Sequence, residues 1–187
     1  MKRFIKNILR YALAAFVLLQ VIGFASLYAL RTSSFYKPSF VVNSISETEF
    51  DYVILGSSTG LTTLNSSQID DLTGLRGLNI SIDDTSMSSH YLMLEHFLES
   101  EKSTRQLLLA ISPGDIGNDQ PKLSGNDYRF LPFISNDYVQ EYYASFSSKE
   151  AQISAVSKYF PFMGVGYYNA ELFYPSIVSV FQRCISR

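Results

Sequence analysis

A run of twenty uncharged residues, Tyr11 to Leu30, constrains this chain more than any other feature of its sequence. As a helix, a run of this length is about 30 Å long, which is enough to cross the hydrocarbon core of a bilayer. The charges that precede it are all basic, at Lys2, Arg3, Lys6 and Arg10. The positive-inside rule therefore predicts a transmembrane helix with its N-terminus in the cytoplasm.

A cleaved signal peptide is the alternative explanation of the same run. Its apolar core would span about 7–15 residues and end at a small-x-small cleavage site. The run here is longer, and its candidate sites, Gly23–Ala25 and Leu27–Ala29, fit that pattern poorly. We therefore expect a single-pass cell-membrane protein with three parts. These are a cytoplasmic tip and signal anchor (1–31), a polar stalk (32–50) and an extracytoplasmic domain (51–187).

Charge and cysteine content narrow the class of the exported part. It carries all seventeen Asp and Glu but only eleven of the fifteen Lys and Arg, an excess of about six negative charges. Such a balance argues against nucleic acid as a partner. Cys184 is the only cysteine, so no intrachain disulfide can form and the hydrophobic core must supply the stability.

Three apolar runs predict three strands, at about Tyr52–Leu55, Leu78–Ile82 and Gln106–Ile111. Helical patterns lie between them, which gives the order β-α-β-α-β. Crossovers this short imply parallel strands with right-handed connections. The sequence thus predicts a small, parallel three-layer α/β/α domain of flavodoxin-like type. Either the last third of the chain adds to this small sheet, or the domain is an incomplete version of a larger fold.

Cap residues predict the helix boundaries. Asn65 caps the first crossover helix and Gly74 ends it. Asp84 or Thr85 is expected to cap the second, which runs to about Glu99. Its predicted apolar face includes Met87, Tyr91, Leu94 and Leu98. Further on, we expect a polar loop over 112–137, a helix capped in the region 147–150, and an aromatic C-terminal helix over 167–185 that is interrupted by Pro175.

The first strand runs directly into a serine turn, Gly56-Ser57-Ser58-Thr59-Gly60. Gly56 has the freedom in φ that a sharp turn needs. The turn presents hydroxyl groups at the carboxyl end of a strand, where open α/β sheets place their ligands. A serine here is either a nucleophile or a turn residue that hydrogen bonds the backbone.

The strand, the serine turn and their position directly after a membrane anchor resemble the SGNH (GDSL-like) hydrolase superfamily. The likeness extends over roughly Asp51 to Asp115. Within the superfamily, the segment most resembles membrane-anchored extracytoplasmic members, similar to proteins of teichoic-acid D-alanylation and polysaccharide O-acetylation. The resemblance implies Ser58 as nucleophile, an oxyanion or binding region at Gly56, Ser57 and Asn79, and neither metal nor cofactor. It implies an ester hydrolase or O-acyltransferase acting on cell-envelope glycans. The expected partners are the lipid bilayer and a cell-surface polysaccharide or an acyl-transfer membrane protein.

The chain departs from the family pattern at three places. After Asn79 the family has a glycine, but here Asp83 and Asp84 follow, and two carboxylates oppose a developing oxyanion. The family's third block, Gly-x-Asn-Asp, is represented only by the shorter sequence at 117–119. The family's C-terminal Asp-x-x-His is missing, because no histidine follows His96.

These departures leave His90 as the candidate base, and packing in the core is the alternative role for its side chain. His96 is expected to lie away from the Ser58 edge. A catalytically inactive or truncated relative, acting as a tethered binding or accessory subunit, is therefore the alternative function. In the C-terminal third, abundant Tyr and Phe side chains serve either sugar contact or core packing.

Overall fold

The computed structural model describes residues 1–112 and 122–185. They form a small α/β domain joined to one long N-terminal helix. The strands are β1 (Glu49–Gly56), β2 (Gly77–Asn79) and β3 (Ser103–Ala110). The helices are α1 (Lys2–Arg31), α2 (Lys37–Asn43), α3 (Ser58–Thr63), α4 (Ser66–Thr73), α5 (Met87–Glu99), a 3₁₀ helix (Asp127–Phe133), α6 (Asp137–Ala144), α7 (Lys149–Val156) and α8 (Pro161–Ile185).

The three strands form one parallel sheet in the order β2-β1-β3, which confirms the predicted β-α-β-α-β arrangement. Val53 on the central strand pairs with Leu78 on one side and with Leu107 on the other. Val53 and Ile54 are fully buried, as expected for an apolar strand with neighbours on both edges. The central strand therefore delivers the serine turn to the carboxyl edge of the sheet.

Local cap signals predicted three helix boundaries correctly. The Asn65 side chain accepts a hydrogen bond from the Gln68 N–H at the start of α4. Gly74 ends that helix in the left-handed conformation, with φ of 71°. The Ser148 hydroxyl caps α7 by accepting from the Ala151 N–H at 3.2 Å.

The predicted apolar face of α5 was wrong. Tyr91 and Leu98 are exposed by 66% and 50%, whereas His90, Met93 and Phe97 are buried. Ser89, His90 and His96 lie on the buried face together with Leu92, Met93 and Phe97, so the spacing of the apolar residues did not select the face that is covered. The N-cap also differs from the prediction, since Ser86 rather than Asp84 or Thr85 precedes the helix.

The segment predicted to be a polar stalk contains α2, which belongs to the core. Val41 is fully buried, and Tyr36 and Pro38 are also buried. The segment contacts α5 and the 3₁₀ helix. The many serines and threonines of the segment made it look like a polar linker. Its few large apolar side chains are clustered in and next to α2, where Tyr36 and Val41 are buried.

The predicted polar loop over 112–137 was wrong where the structure describes it. The 3₁₀ helix lies within it, and Phe130 and Leu131 are fully buried. Residues 113–121, including Asp115 and Asp119, lie outside the described residues.

By its length and composition alone, helix α1 is apolar and long enough to span a membrane. Residues 1–19 are exposed, whereas Leu27 and Leu30 are buried in the hydrophobic core of the domain. The final turns of α1 are therefore part of the domain. The orientation of the helix across a membrane remains a prediction.

Helix α8 packs against α1 and changes direction at Asn169, where φ is 22° and ψ is −87°. The predicted interruption at Pro175 was wrong, since the helix continues through that residue. The backbone of α8 comes so close to Gly23 that a Cβ atom there would lie 2.4 Å from the Phe162 nitrogen. Only a glycine at position 23 allows the two helices to approach each other this closely.

Candidate functional site

The serine turn places one hydroxyl in solvent and the other in the protein. Ser57 precedes α3 and is buried, whereas Ser58 is the first residue of that helix and is exposed. The Ser58 carbonyl accepts a hydrogen bond from the Thr62 hydroxyl at 2.8 Å. Of the two, the Ser58 hydroxyl is the one that a substrate can reach.

Two glycines bring α3 close to the neighbouring elements of the sheet. A Cβ at Gly56 would lie 2.7 Å from the Ala110 carbonyl oxygen, at the end of β3. A Cβ at Gly60 would lie 2.5 Å from the Ser81 hydroxyl, just beyond β2. The G-x-S-x-G spacing therefore serves close packing of the turn between the ends of both outer strands.

Asn79 lies at the end of β2, and its side chain holds α3 in place. Its Nδ2 donates to the carbonyl oxygens of Gly60 and Leu64, both at 2.9 Å. Its Oδ1 accepts from the Ser81 N–H at 3.0 Å. Because both amide hydrogens are used, Asn79 positions the Ser58 turn and has no donor left for an oxyanion.

His90 does not form a catalytic pair with Ser58 in the described residues. It is 2% exposed and lies on the buried face of α5. No side chain in the described ranges hydrogen bonds the Ser58 hydroxyl. A nucleophilic serine needs an adjacent base, and these ranges supply none within hydrogen-bonding distance.

His96 has a structural role. One ring nitrogen, Nε2, lies 3.0 Å from the Pro38 carbonyl oxygen, and Nδ1 lies 2.7 Å from the Tyr138 hydroxyl. Burial lowers the pKa of His96 to about 4, so the ring is neutral at pH 7. A neutral ring with its proton on Nε2 satisfies both contacts and joins α5 to α2 and α6.

A cavity of about 280 Å³ lies one helical turn from Ser58, bounded by Leu61 and Ser81. Two basic side chains that sequence analysis missed, Lys37 and Arg129, line this cavity. Lys37 lay in the expected stalk and Arg129 in the expected polar loop, so neither stood beside a recognisable motif. The Ser81 hydroxyl is buried and has no hydrogen-bond partner among the residues that the structure describes.

The charges of this cavity are partly compensated. The Arg129 guanidinium donates to Asp83 Oδ1 at 2.6 Å, and this hydrogen bond lowers the pKa of Asp83. The Lys37 ammonium donates to the Asn79 carbonyl at 3.2 Å, and burial lowers its pKa. Lys37 pairs with no carboxylate in the part of the chain that the structure describes. The Asp83 charge expected to oppose an anion is thus neutralised, and the cavity suits a polar or anionic group.

A second, larger cavity of about 500 Å³ lies between α5 and α6. Tyr91, Tyr142 and Phe146 line it together with Glu95 and Glu141. Burial and the nearby Glu141 raise the pKa of Glu95. The rings of Tyr142 and Phe146 pack edge to face with centroids 5.0 Å apart, so these aromatic side chains serve packing as well as lining the groove.

Comparison with known protein families, curated proteins and solved structures gives no significant match. The structure itself defines the class coarsely. It is an α/β protein with a small three-stranded parallel sheet and one N-terminal helix that is compatible with a membrane anchor.

Proposed function

We propose that this protein is a membrane-anchored, SGNH-like domain for ester hydrolysis or O-acyl transfer on cell-envelope glycans, with Ser58 as the nucleophile. The exposed Ser58 hydroxyl, on the turn that ends the buried central strand, carries this proposal. Support comes from the resemblance of the turn to the superfamily. The cavity beside Leu61 would receive the part of the substrate next to the ester.

The chemistry requires a base from outside the described residues. Ser58 Oγ attacks the ester carbonyl carbon while its proton passes to the base. The tetrahedral intermediate then breaks its bond to the alcohol oxygen, which takes the proton from the base and leaves an acyl-enzyme. Water or an acceptor hydroxyl then takes the acyl group. The end of β3 lies beside the turn, because Gly56 pairs with Ala110. A polypeptide added along β3 would therefore end close to Ser58 and is the natural source of a base.

Labelling with a fluorophosphonate serine probe tests the nucleophile. We expect the full-length protein in native membranes to be labelled, and Ser58→Ala to lose the label. Ser57→Ala is the matched control and should retain it, because Ser57 is buried. His90→Gln should also retain it, since His90 is buried and does not hydrogen bond Ser58 among the described residues. A wild-type protein without label, or labelling that survives Ser58→Ala, would contradict the proposal.

A tethered binding or accessory subunit is the second candidate function, and strand β3 favours it. One edge of β3 has no partner strand among the described residues. Leu107, Leu108 and Leu109 are exposed by 42%, 39% and 39%, so both faces of the strand are open. An open apolar edge of this kind is a site for strand addition. The expected occupant is a strand from another envelope polypeptide.

Site-specific photocrosslinking in native membranes tests the second candidate. We expect a crosslinker at Leu107 to give a discrete adduct that the additional substitution Leu109→Lys removes. A crosslinker at Leu72, which is 80% exposed on α4, is the control and should give no adduct. Absence of a specific adduct at Leu107 would count against a partner at this edge.

A further inference from the structure

The part of α8 after Asn169 has most of its large apolar side chains on the outside. The following large side chains are exposed: Phe173, Tyr174, Ile177, Val180 and Phe181. Leu172 and Pro175 at its start are buried, and its other buried positions as far as Phe181 are two small polar residues, Ser176 and Ser179, which are 3% and 1% exposed. A helix on the surface of a water-soluble domain has the opposite arrangement. Small residues inside and apolar residues outside are typical of helices packed in a membrane.

Helix α1 is the neighbour that can cover the buried side of this segment. Helix α8 contacts α1, α7 and the 3₁₀ helix, and Tyr167 and Tyr168, which precede the segment, join α8 to α7 and the 3₁₀ helix through hydrogen bonds and a ring contact. The segment begins beside Tyr36, whose hydroxyl donates to the Glu171 carbonyl. Because Tyr36 lies beyond the C-terminal end of α1, a segment that then packs on α1 must run back along it.

The outer side of the segment is apolar, as is the exposed side of α1. Val21 and Phe24 of α1 are exposed by 59% and 66%, and Phe181 of α8 is exposed by 63%. No Asp, Glu, Lys or Arg lies between Leu172 and Gln182. The two helices contact each other, and both present uncharged, apolar side chains to the outside.

We propose that residues 172–181 of α8 lie among the lipid acyl chains beside α1, so that a pair of helices anchors the domain. Ten residues of helix are about 15 Å long, half the thickness of the hydrocarbon core, so the segment enters the bilayer without crossing it. The inference depends on the membrane anchoring in the proposed function, but not on its chemistry. A pair of helices would hold the domain against the bilayer, so that the Ser58 edge stays at one height above the lipid surface.

The chain contains no tryptophan, which permits a direct test. Single tryptophans are placed at Phe181 in α8, at Phe24 in α1 and at Leu72 in α4. The full-length variants are reconstituted into phosphatidylcholine vesicles with brominated acyl chains, which quench tryptophan fluorescence on contact. We expect Phe181→Trp to be quenched as strongly as Phe24→Trp, and Leu72→Trp to keep the fluorescence that it has in unbrominated vesicles.

The controls separate failure of the inference from failure of the anchor. If Phe24→Trp is quenched and Phe181→Trp is not, α1 inserts but α8 does not, and the inference is wrong. If neither is quenched, the membrane anchoring is wrong as well. A second copy of the chain covering this surface would leave Phe181→Trp unquenched and would give dimers on crosslinking. Phe181→Trp and Phe24→Trp each replace one exposed aromatic ring with another, and Leu72 is 80% exposed, so these substitutions leave the fold intact and misfolding does not obscure the result.

Discussion

Replacing Gly23 with leucine is expected to separate α8 from α1 and to destabilise the protein. A Cβ at position 23 would lie 2.4 Å from the nitrogen and 2.7 Å from the Cα of Phe162. These are backbone atoms, so no rotation of a side chain can relieve the clash. The Phe162 N–H also donates to the Gln20 side chain at 3.4 Å, a contact that the displacement would break. Overpacking of this kind costs about 1–3 kcal/mol.

The matched control for this prediction is Ala25→Leu, which adds similar bulk on the exposed side of α1. Thermal unfolding of both variants in a mild detergent measures the difference. We expect a clear fall in the midpoint for Gly23→Leu and little change for Ala25→Leu. Equal midpoints for the two variants would show that α8 does not pack against Gly23.

Acidification from pH 7 to pH 4 is expected to destabilise the domain through His96. Burial, together with the positive charge of Arg31, opposes protonation, and the folded-state pKa falls from the ordinary 6.5 to about 4. The unfolded chain therefore binds the proton first. The stabilising contribution of neutral His96 is complete above about pH 6.5 and is lost progressively as the pH falls towards 4. A shift of this size corresponds to about 3 kcal/mol.

Chemical unfolding in detergent at several pH values between 7 and 4 tests this, with wild type compared to His96→Gln. Glutamine supplies a donor for the Pro38 carbonyl and an acceptor for the Tyr138 hydroxyl, but it does not titrate. Burial raises the pKa of Asp127, whose contribution changes with pH in the opposite direction. The comparison cancels that effect because both proteins contain Asp127. We expect the wild type to lose stability faster than His96→Gln, and parallel curves would contradict the assignment.

Features that depend on a few adjacent residues were predictable. Three such features depend only on residues that are close in sequence. They are the apolar strand at 53–55, the N-cap at Asn65 and the helix end at Gly74. The parallel order β-α-β-α-β followed, because the short crossovers leave few other arrangements. The Ser58 turn at the carboxyl end of the central strand was predictable for the same reason.

The surroundings of Ser58 were not predictable, because they come from distant parts of the chain. Lys37 and Arg129 are 92 residues apart in the numbering of the sequence and meet at one cavity. The position of His90 on the buried side of α5 depends on which face of a largely apolar helix meets the sheet. The role of Asn79 became clear only from the carbonyl oxygens that its side chain binds.

The sequence alone determined the long apolar helix, the three strands and the serine at the end of the central one, since each depends on local hydrophobicity and turn chemistry. Tertiary structure decided which of the available side chains are buried together. It placed α2 and the 3₁₀ helix in the core, turned His90 and His96 inwards, and brought α8 against Gly23. Burial is a property of the whole fold, because contacts between distant segments decide which of several apolar faces is covered.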